Sequence, residues 1–266
     1  MSIRRVDRGR NHWYENTDTG QRVPGVTTHT DKGVPKPALV NWAGNATAEY
    51  AVDNWDRLSD LAPSARLKEL QGARYAAKDA AANKGTKVHK LAERLVTGEE
   101  VPIPEGLEGH VESYVRFLNE FDVQPVLVEA LVYSPTHGYC GTLDLIADLI
   151  DPDDPDHRLR WLLDIKTNRS GIFGETALQL SGYRYAEVWV EDDGTEHDLP
   201  DVDMAGAVHV RADGYSLVPL VVTETQHRQF LYAAQVADFV ANSRDLVGEP
   251  VESPHTSTYR LVREDT

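Results

Sequence analysis

Residues 126–167, VLVEALVYSPTHGYCGTLDLIADLIDPDDPDHRLRWLLDIKT, decide the fold of this chain. Three runs within the stretch are rich in branched and aromatic apolar residues. They are separated by the turn-forming PTHG and by the acidic, proline-bearing DPDDPDH. Apolar runs bounded by turn signals are typical of β-strands. The stretch therefore predicts a meander of three consecutive strands, with a loop at DPDDPDH.

Helical patterns lie on both sides of the meander. Apolar spacing and cap signals predict helices within residues 36–55, 63–98, 107–121, 174–190 and 223–245. Residues 63–98 are predicted to contain one or two helices, and each of the other segments one. A strand, turn and strand are predicted in residues 12–28, and a hairpin in residues 205–222. Together these elements predict an α/β fold: a mixed central β-sheet with a meander core, flanked by helices, with a helical N-terminal region.

The chain of 266 residues is long enough to bury a substantial core, and we expect one compact unit in three parts. Residues 1–80 are predicted to form the mainly helical N-terminal region with its small hairpin. Residues 81–248 are predicted to form the core that contains the sheet. Residues 249–266 are predicted to form a C-terminal tail.

The net charge of -16 argues against a partner with a phosphate backbone, because nucleic-acid binding is usually driven by a basic surface. The basic residues are nevertheless concentrated in the first hundred residues. A helical spacing there is shared by Lys78, Lys84, Lys87, Lys90 and Arg94. A basic face for DNA and an ordinary solvated face explain this spacing equally well.

The single cysteine, Cys140, excludes an internal disulfide and a cysteine-rich zinc or iron–sulfur site built from this chain alone. No apolar run approaches the roughly 20 residues of a membrane span, and the first residues lack the apolar segment of a signal peptide. A cytoplasmic protein without a membrane partner is therefore expected. The absence of a Gly-x-x-x-x-Gly-Lys-Ser/Thr motif predicts no nucleotide cofactor, so any motor must be a separate protein.

The end of the last predicted strand, WLLDIKT, carries charged residues where an apolar strand should continue. Side chains alternate in a strand, so Asp164 and Lys166 share one face. The same alternation in GTLDLIAD places Asp144 on one face with Ile146 and Asp148, and antiparallel pairing would bring Asp144 near Asp164. Neighbouring carboxylates repel, and a divalent cation relieves that repulsion. A metal site is thus predicted at the strand end; the alternative is a surface ion pair beside an exposed aspartate.

This arrangement resembles the PD-(D/E)XK nuclease superfamily, in its RecB-type exonuclease branch. GTLD at residues 141–144 matches the Gly-x-x-Asp strand of that branch, and DIKT at residues 164–167 matches its Asp-x-Lys-Thr strand. Upstream, GTKVH ends at His89 and matches the Gly-x-x-x-His helix motif. Downstream, QLSGY from Gln179 to Tyr183 matches the Gln-x-x-x-Tyr helix motif. The four motifs occur in the order that the branch has them.

The resemblance implies a restriction-endonuclease-like fold and a metal-dependent deoxyribonuclease, of exonuclease type, with Mg²⁺ or Mn²⁺ as cofactor. Its implied catalytic residues are Asp144, Asp164 and Lys166, and its implied metal ligands are His89, Asp144, Asp164 and the backbone carbonyl of Ile165. Lys166 would orient the attacking water and offset charge on the phosphate. Glu129 falls where the branch often has a glutamate, with a half-exposed strand glutamate as the equal alternative.

The helix face of Gln179 and Tyr183 is implied to position DNA or the active-site residues, and Lys87, close to His89, is a further candidate for contact with DNA. Weak DNA affinity, expected from the net charge, favours a homo-oligomer or a recombination or helicase partner protein. The alternative function is a non-catalytic DNA-end-binding or recombination accessory protein.

The front of the chain, RVPGVTT and KPALVNWAGNATAEYAV, is similar to RecB-like exonucleases encoded by phages of actinobacteria. That branch is often grouped with a CRISPR-associated exonuclease family, whose members bind an iron–sulfur cluster through four cysteines. The lone Cys140 departs from that pattern, so no cluster is expected here.

Overall fold

The computed structural model describes residues 3–9 and 11–252. Residues 253–266 of the predicted C-terminal tail lie outside this part of the chain. Within the described ranges, no helix combines the length and the apolar character needed to cross a membrane.

A mixed sheet of seven strands forms the centre of the fold and confirms the predicted α/β class. Its strands in chain order are β4 (Gln124–Ser134), β5 (Tyr139–Asp151), β6 (Asp154–Lys166), β7 (Val188–Val190), β8 (Glu196–Asp198), β9 (Met204–Arg211) and β10 (Gly214–Pro219). The spatial order is β10-β9-β6-β5-β4-β7-β8, with β6 and β9 parallel and the other neighbours antiparallel. A second, antiparallel sheet contains β1 (Ile3–Arg8), β2 (Asn11–Asn16) and β3 (Arg22–Val23).

The predicted meander is confirmed, but its strands are longer than the sequence pattern indicated. The loop predicted at DPDDPDH is wrong, because β5 and β6 continue until Asp151 pairs with Asp154. Arg160 forms hydrogen bonds of 2.8 and 3.0 Å with the Asp148 carboxylate across the two strands. This ion pair links β5 to β6 within the ladder, just before DPDDPDH begins.

Seven α-helices surround the sheets in the described part of the chain, and a short 3-10 helix, Ser243–Leu246, follows the last of them. The α-helices are α1 (Val26–Gly33), α2 (Pro37–Asp53), α3 (Trp55–Ser59), α4 (Pro63–Val96), α5 (Glu108–Glu120), α6 (Glu175–Arg184) and α7 (Glu224–Asn242). Proline opens α2 and α4, where its missing N–H costs no helical hydrogen bond. Gly98, with φ of 81°, follows α4, and Thr223 caps α7 in a capping box with Gln226.

Helices pack on both faces of the seven-stranded sheet. One core cluster joins Leu162 of β6 to Leu180 of α6 and Phe230 of α7. The other joins Leu163 of β6 to Phe117 of α5 and to residues of α4. Because neighbouring strand residues point to opposite faces, α6 and α7 cover one side and α4 and α5 cover the other. The β6 strand therefore lies between two helical layers.

The segment 63–98, which is predicted to contain one or two helices, contains one continuous helix, α4. Two other features differ from the sequence prediction. The segment 174–190 is helical only as far as Arg184; its VWV end becomes β7, which pairs with β4 because its branched and aromatic residues suit a strand. The strand β1 was not predicted, and it pairs along its full length with β2.

Candidate metal centre

Asp144 and Asp164 lie just beyond one end of the ladder that joins the antiparallel strands β5 and β6. The last pair at that end is Leu145 with Leu163, and each aspartate is the next residue on its strand. The backbone N–H of Ile165 donates a hydrogen bond of 2.7 Å to Asp144 Oδ2. Because the N–H and C=O of one strand residue point toward the same neighbouring strand, the Ile165 carbonyl is directed to the Asp144 side as well.

Glu129 occupies the corresponding position of β4. The pairs between Val128 and Leu145 and between Ala130 and Leu143 flank it, so Glu129 lies opposite Asp144. Its φ of 48° is left-handed, a conformation that costs a non-glycine residue roughly 1–2 kcal/mol. A costly backbone conformation that persists is an observation that points to function. Here it occurs directly beside the two aspartates.

His89 reaches the same place from α4. Its neighbours Val88 and Leu91 are buried and hold this part of the helix against the fold. The Nδ1 atom of His89 lies 3.5 Å from Asp144 Oδ2. One ligand atom from each of His89, Glu129 and Asp144 lies within 4.8 Å of the other two. We call these three residues the acidic cluster.

Lys166 and Gln179 bind Asp164 next to the acidic cluster. The Lys166 ammonium is 2.6 Å from Asp164 Oδ2 and donates to Gln179 Oε1 at 3.3 Å. Gln179 Nε2 donates to Asp164 Oδ1 at 3.1 Å and contacts the Tyr183 hydroxyl at 3.4 Å. The structure thus brings the predicted Asp164–Lys166 face of β6 together with the predicted Gln179–Tyr183 face of α6.

Burial and like charges control the protonation of these carboxylates. Burial, reinforced by Asp144, raises the pKa of Glu129 to about 7. Burial also raises the pKa of Asp164, against the opposing effect of Lys166. Burial works to lower the pKa of Lys166, but Asp164, Asp144 and the more remote Asp31 raise it above its ordinary value. The ammonium therefore stays charged near neutral pH.

The donor atoms present here fit a divalent cation. Carboxylate oxygens and one imidazole nitrogen are ligands that Mg²⁺ and, more readily, Mn²⁺ accept. Asp164 Oδ2 is buried and lies 2.6 Å from the Lys166 ammonium, so this carboxylate already has a positively charged partner. The left-handed backbone of Glu129 is the feature that suits a cation at the acidic cluster.

The predicted ligand set and the observed cluster differ in two residues. Glu129, given a supporting role from the sequence, takes a full place beside His89 and Asp144, whereas Asp164 is not among the mutually close ligand atoms. The predicted common face of Asp144, Ile146 and Asp148 is also wrong. Leu143 packs with Ile146 in one core cluster while Leu145 packs in the other, so side-chain alternation is interrupted at Asp144.

Two of the predicted DNA-positioning residues have contrasting environments. Lys87 is exposed on α4, two residues before His89. Tyr183 is only 3% exposed, and burial raises the pKa of its hydroxyl. Tyr183 therefore contacts Gln179 from within the core, and DNA cannot reach its ring in this conformation.

Tyr114 is a neighbour of the site that the sequence did not indicate. Its side chain is buried, and its hydroxyl has no hydrogen-bond partner among the residues that the structure describes. Burial raises the pKa of Tyr114, and the negative charge of Asp144 raises it further. Its helical spacing in α5 indicated only a core residue, because the approach of α5 to β5 is a tertiary contact.

The comparisons with known proteins do not assign the chain to a family. No family model matches it, and neither does any curated protein. One solved structure that it resembles is the crystal structure of SSO0001, with 14% sequence identity and a TM-score of 0.27. The alignment covers 85% of this chain and 76% of that protein. At this TM-score, the likeness does not establish a shared fold.

Proposed function

We propose that the protein is a metal-dependent deoxyribonuclease of the PD-(D/E)XK superfamily, RecB-type branch, with a restriction-endonuclease-like fold. The observation that carries the proposal is the convergence of four short motifs that are far apart in the chain. His89 of GTKVH approaches Asp144 of GTLD, and Gln179 of QLSGY binds both Asp164 and Lys166 of DIKT. Unrelated surface residues have no reason to form these contacts together.

The cation would be held by His89, Glu129 and Asp144, with Asp164 and the Ile165 carbonyl as neighbouring oxygen donors. When bound, Mg²⁺ or Mn²⁺ supplies the positive charge that polarises a phosphodiester and lowers the pKa of a water molecule.

Lys166 provides the fixed positive charge of the site. Its ammonium is held by Asp164 and Gln179, so little reorganisation is needed when negative charge develops on a phosphate. The ammonium can also donate a hydrogen bond to the attacking water. Gln179 acts as a positioning residue, because its amide group bonds Asp164 and Lys166 at once.

A second candidate function is a non-catalytic DNA-end-binding or recombination accessory protein. The ion pair between Lys166 and Asp164 favours this alternative to a degree, since it stabilises the site without a cation. The unusual φ of Glu129 favours the nuclease, because a binding surface alone gives no reason to keep that conformation.

Incubation with end-labelled DNA tests the proposal. The substrates are linear and circular DNA, each single- and double-stranded, with Mg²⁺, Mn²⁺ or EDTA. We expect cleavage that needs the cation, is lost in Asp144→Asn and persists in Asp148→Asn. Asp148 is the matched control because it lies on the same strand but pairs with Arg160. Failure to cleave any of these substrates with either cation would support the accessory protein instead.

A further inference from the structure

An open groove lies beside α2 and α4, outside the acidic cluster. It has a volume of about 990 Å³, and α1, α2, α4 and α7 contribute its walls. The residues of α2 are all at least partly exposed to solvent, and Leu39 and Val40 are exposed apolar residues within the groove. The groove therefore presents a large apolar surface to a partner.

The described lining of the groove is strongly basic, although the chain as a whole carries a net charge of -16. Its cationic residues are Lys32, Lys36, Arg74 and Lys78. Asp31 is the one carboxylate in that lining, and it forms an ion pair with Lys36. This concentration of positive charge is complementary to a polyanion.

Two aromatic rings are exposed between these cations. Trp42 of α2 is 37% exposed and Tyr75 of α4 is 57% exposed. The Arg74 guanidinium lies over the Tyr75 ring, 4.7 Å from its centroid. Aromatic faces interleaved with cations are the arrangement that binds single-stranded nucleic acid, since unpaired bases stack on the rings and phosphates contact the cations. In a duplex the base faces are already stacked on one another.

The groove and the acidic cluster share one helix. Lys78 of the groove lining and His89 of the acidic cluster both lie on α4. At a rise of 1.5 Å per residue they are about 16 Å apart along the helix axis, so a strand bound in the groove can extend along α4 toward the cluster. This continuity distinguishes the groove from an isolated apolar patch.

We propose that this groove binds single-stranded DNA and directs it to the acidic cluster. Bases stack on Trp42 and Tyr75, and the cations Lys32, Arg74 and Lys78 contact the phosphates. The inference rests on the proposed nuclease function for the identity of the ligand, but binding can be measured without cleavage.

Fluorescence anisotropy of a labelled oligothymidylate in EDTA tests the groove in the full chain. We expect tighter binding of this strand than of a duplex. Trp42→Ala and Tyr75→Ala should each weaken it by about 5- to 150-fold, the loss typical of one stacked base. Trp55→Ala is the matched control, because Trp55 is 56% exposed on α3 and is not part of the groove lining. It should bind as the wild type does.

The salt dependence of binding tests the cations separately. The logarithm of the affinity falls as the logarithm of the salt concentration rises, and Lys78→Ala should make this negative slope shallower by roughly 0.7, the value for one phosphate contact on a single strand. Lys68→Ala, an exposed lysine of the same helix outside the groove lining, should leave the slope unchanged. Thermal melting of each variant checks that the fold is intact, and the exposed Tyr75 provides a second test should Trp42→Ala unfold.

Several results would overturn the inference. Wild-type affinity in both aromatic variants would do so, as would equal affinity for duplex and single strand. A change of molecular mass in Trp42→Ala, with no change in DNA affinity, would show instead that a second copy of the chain covers the groove. If the aromatic variants lose DNA affinity but the wild type does not cleave DNA in Mn²⁺, only the proposed nuclease function is refuted. If the wild type cleaves DNA and the aromatic variants bind DNA with wild-type affinity, only the proposed role of the groove is refuted.

Discussion

Replacing Asp144 by asparagine should stabilise the protein without a cation and destabilise it, relative to wild type, with one. The substitution removes one negative charge from the acidic cluster and keeps the shape of the side chain. The asparagine carbonyl oxygen can still accept the hydrogen bond that Ile165 donates to Asp144 Oδ2. The local β-structure is therefore expected to survive.

The expected gain follows from the distance between the charges. At pH 8 Glu129 is mostly ionised, because its pKa is about 7. The ligand atoms of the cluster lie within 4.8 Å of one another, and two unit charges at that limit repel by about 3.5 kcal/mol at an effective dielectric constant of about 20. Lys166 offsets part of this repulsion. We therefore expect Asp144→Asn to gain about 1–2 kcal/mol in EDTA, or a rise in Tm of about 2–8 °C.

Calorimetric melting at pH 8, in EDTA and in excess Mn²⁺, measures both effects. A cation at about 100 times its Kd stabilises the folded state by about 2.7 kcal/mol, and Asp144→Asn should lose most of that increment. Asp148→Asn should melt lower in both buffers, because it loses the Arg160 ion pair, but should keep the wild-type response to Mn²⁺. If Mn²⁺ shifts the Tm of wild type and Asp144→Asn equally, the cluster does not hold the cation.

Further substitutions test three separate parts of the structure. Lys166→Ala should lower kcat on DNA by about 10²-fold with little change in DNA affinity, and Lys166→Arg should recover little of the lost kcat. Single-turnover kinetics together with binding assays distinguish a loss of catalysis from a loss of phosphate binding. His89→Ala should weaken Mn²⁺ binding in calorimetric titration, and unchanged affinity would make His89 an ordinary helix residue. Gly33→Ala would place a Cβ 2.0 Å from the Ala233 carbonyl oxygen, so it should lower the free energy of unfolding, measured in urea, by more than about 2 kcal/mol. Gly44→Ala is the control: the space around Gly44 is open, and the free energy of unfolding should rise by up to about 1 kcal/mol. Equal effects of the two substitutions would contradict the close packing of α1 on α7.

The central meander could be predicted because its signals are local. Alternation in WLLDIKT places Trp161, Leu163 and Ile165 in one core cluster and Leu162 in the other, as the structure has them. The ends of the strands could not be predicted in the same way. Asp151 and Asp154 remain in the ladder of β5 and β6, and Asp148 forms an ion pair with Arg160 across the two strands. These partners are visible only when the register is known.

The candidate site was partly predictable for the same reason. Motif spacing indicated Asp144, Asp164, Lys166 and His89, and the structure brings them near one another. The larger role of Glu129 depends on its left-handed backbone and on the register of β4 with β5, which no local pattern reveals. The basic groove was equally hidden, because its lining comes from four helices that are separate in the sequence.

Glycine opens two of the motifs, and close packing requires it in one of them. A Cβ at Gly141, the start of GTLD, would lie 2.6 Å from a ring carbon of Tyr183, so the missing side chain lets α6 pack directly on β5. That close approach brings Gln179, one turn before Tyr183, to Asp164. At Gly85, the start of GTKVH, a Cβ would lie 3.4 Å from the Thr167 hydroxyl oxygen, which is an ordinary contact. The glycine of GTLD is therefore required by packing, whereas Gly85 leaves room beside Thr167 at the end of the strand that carries Lys166.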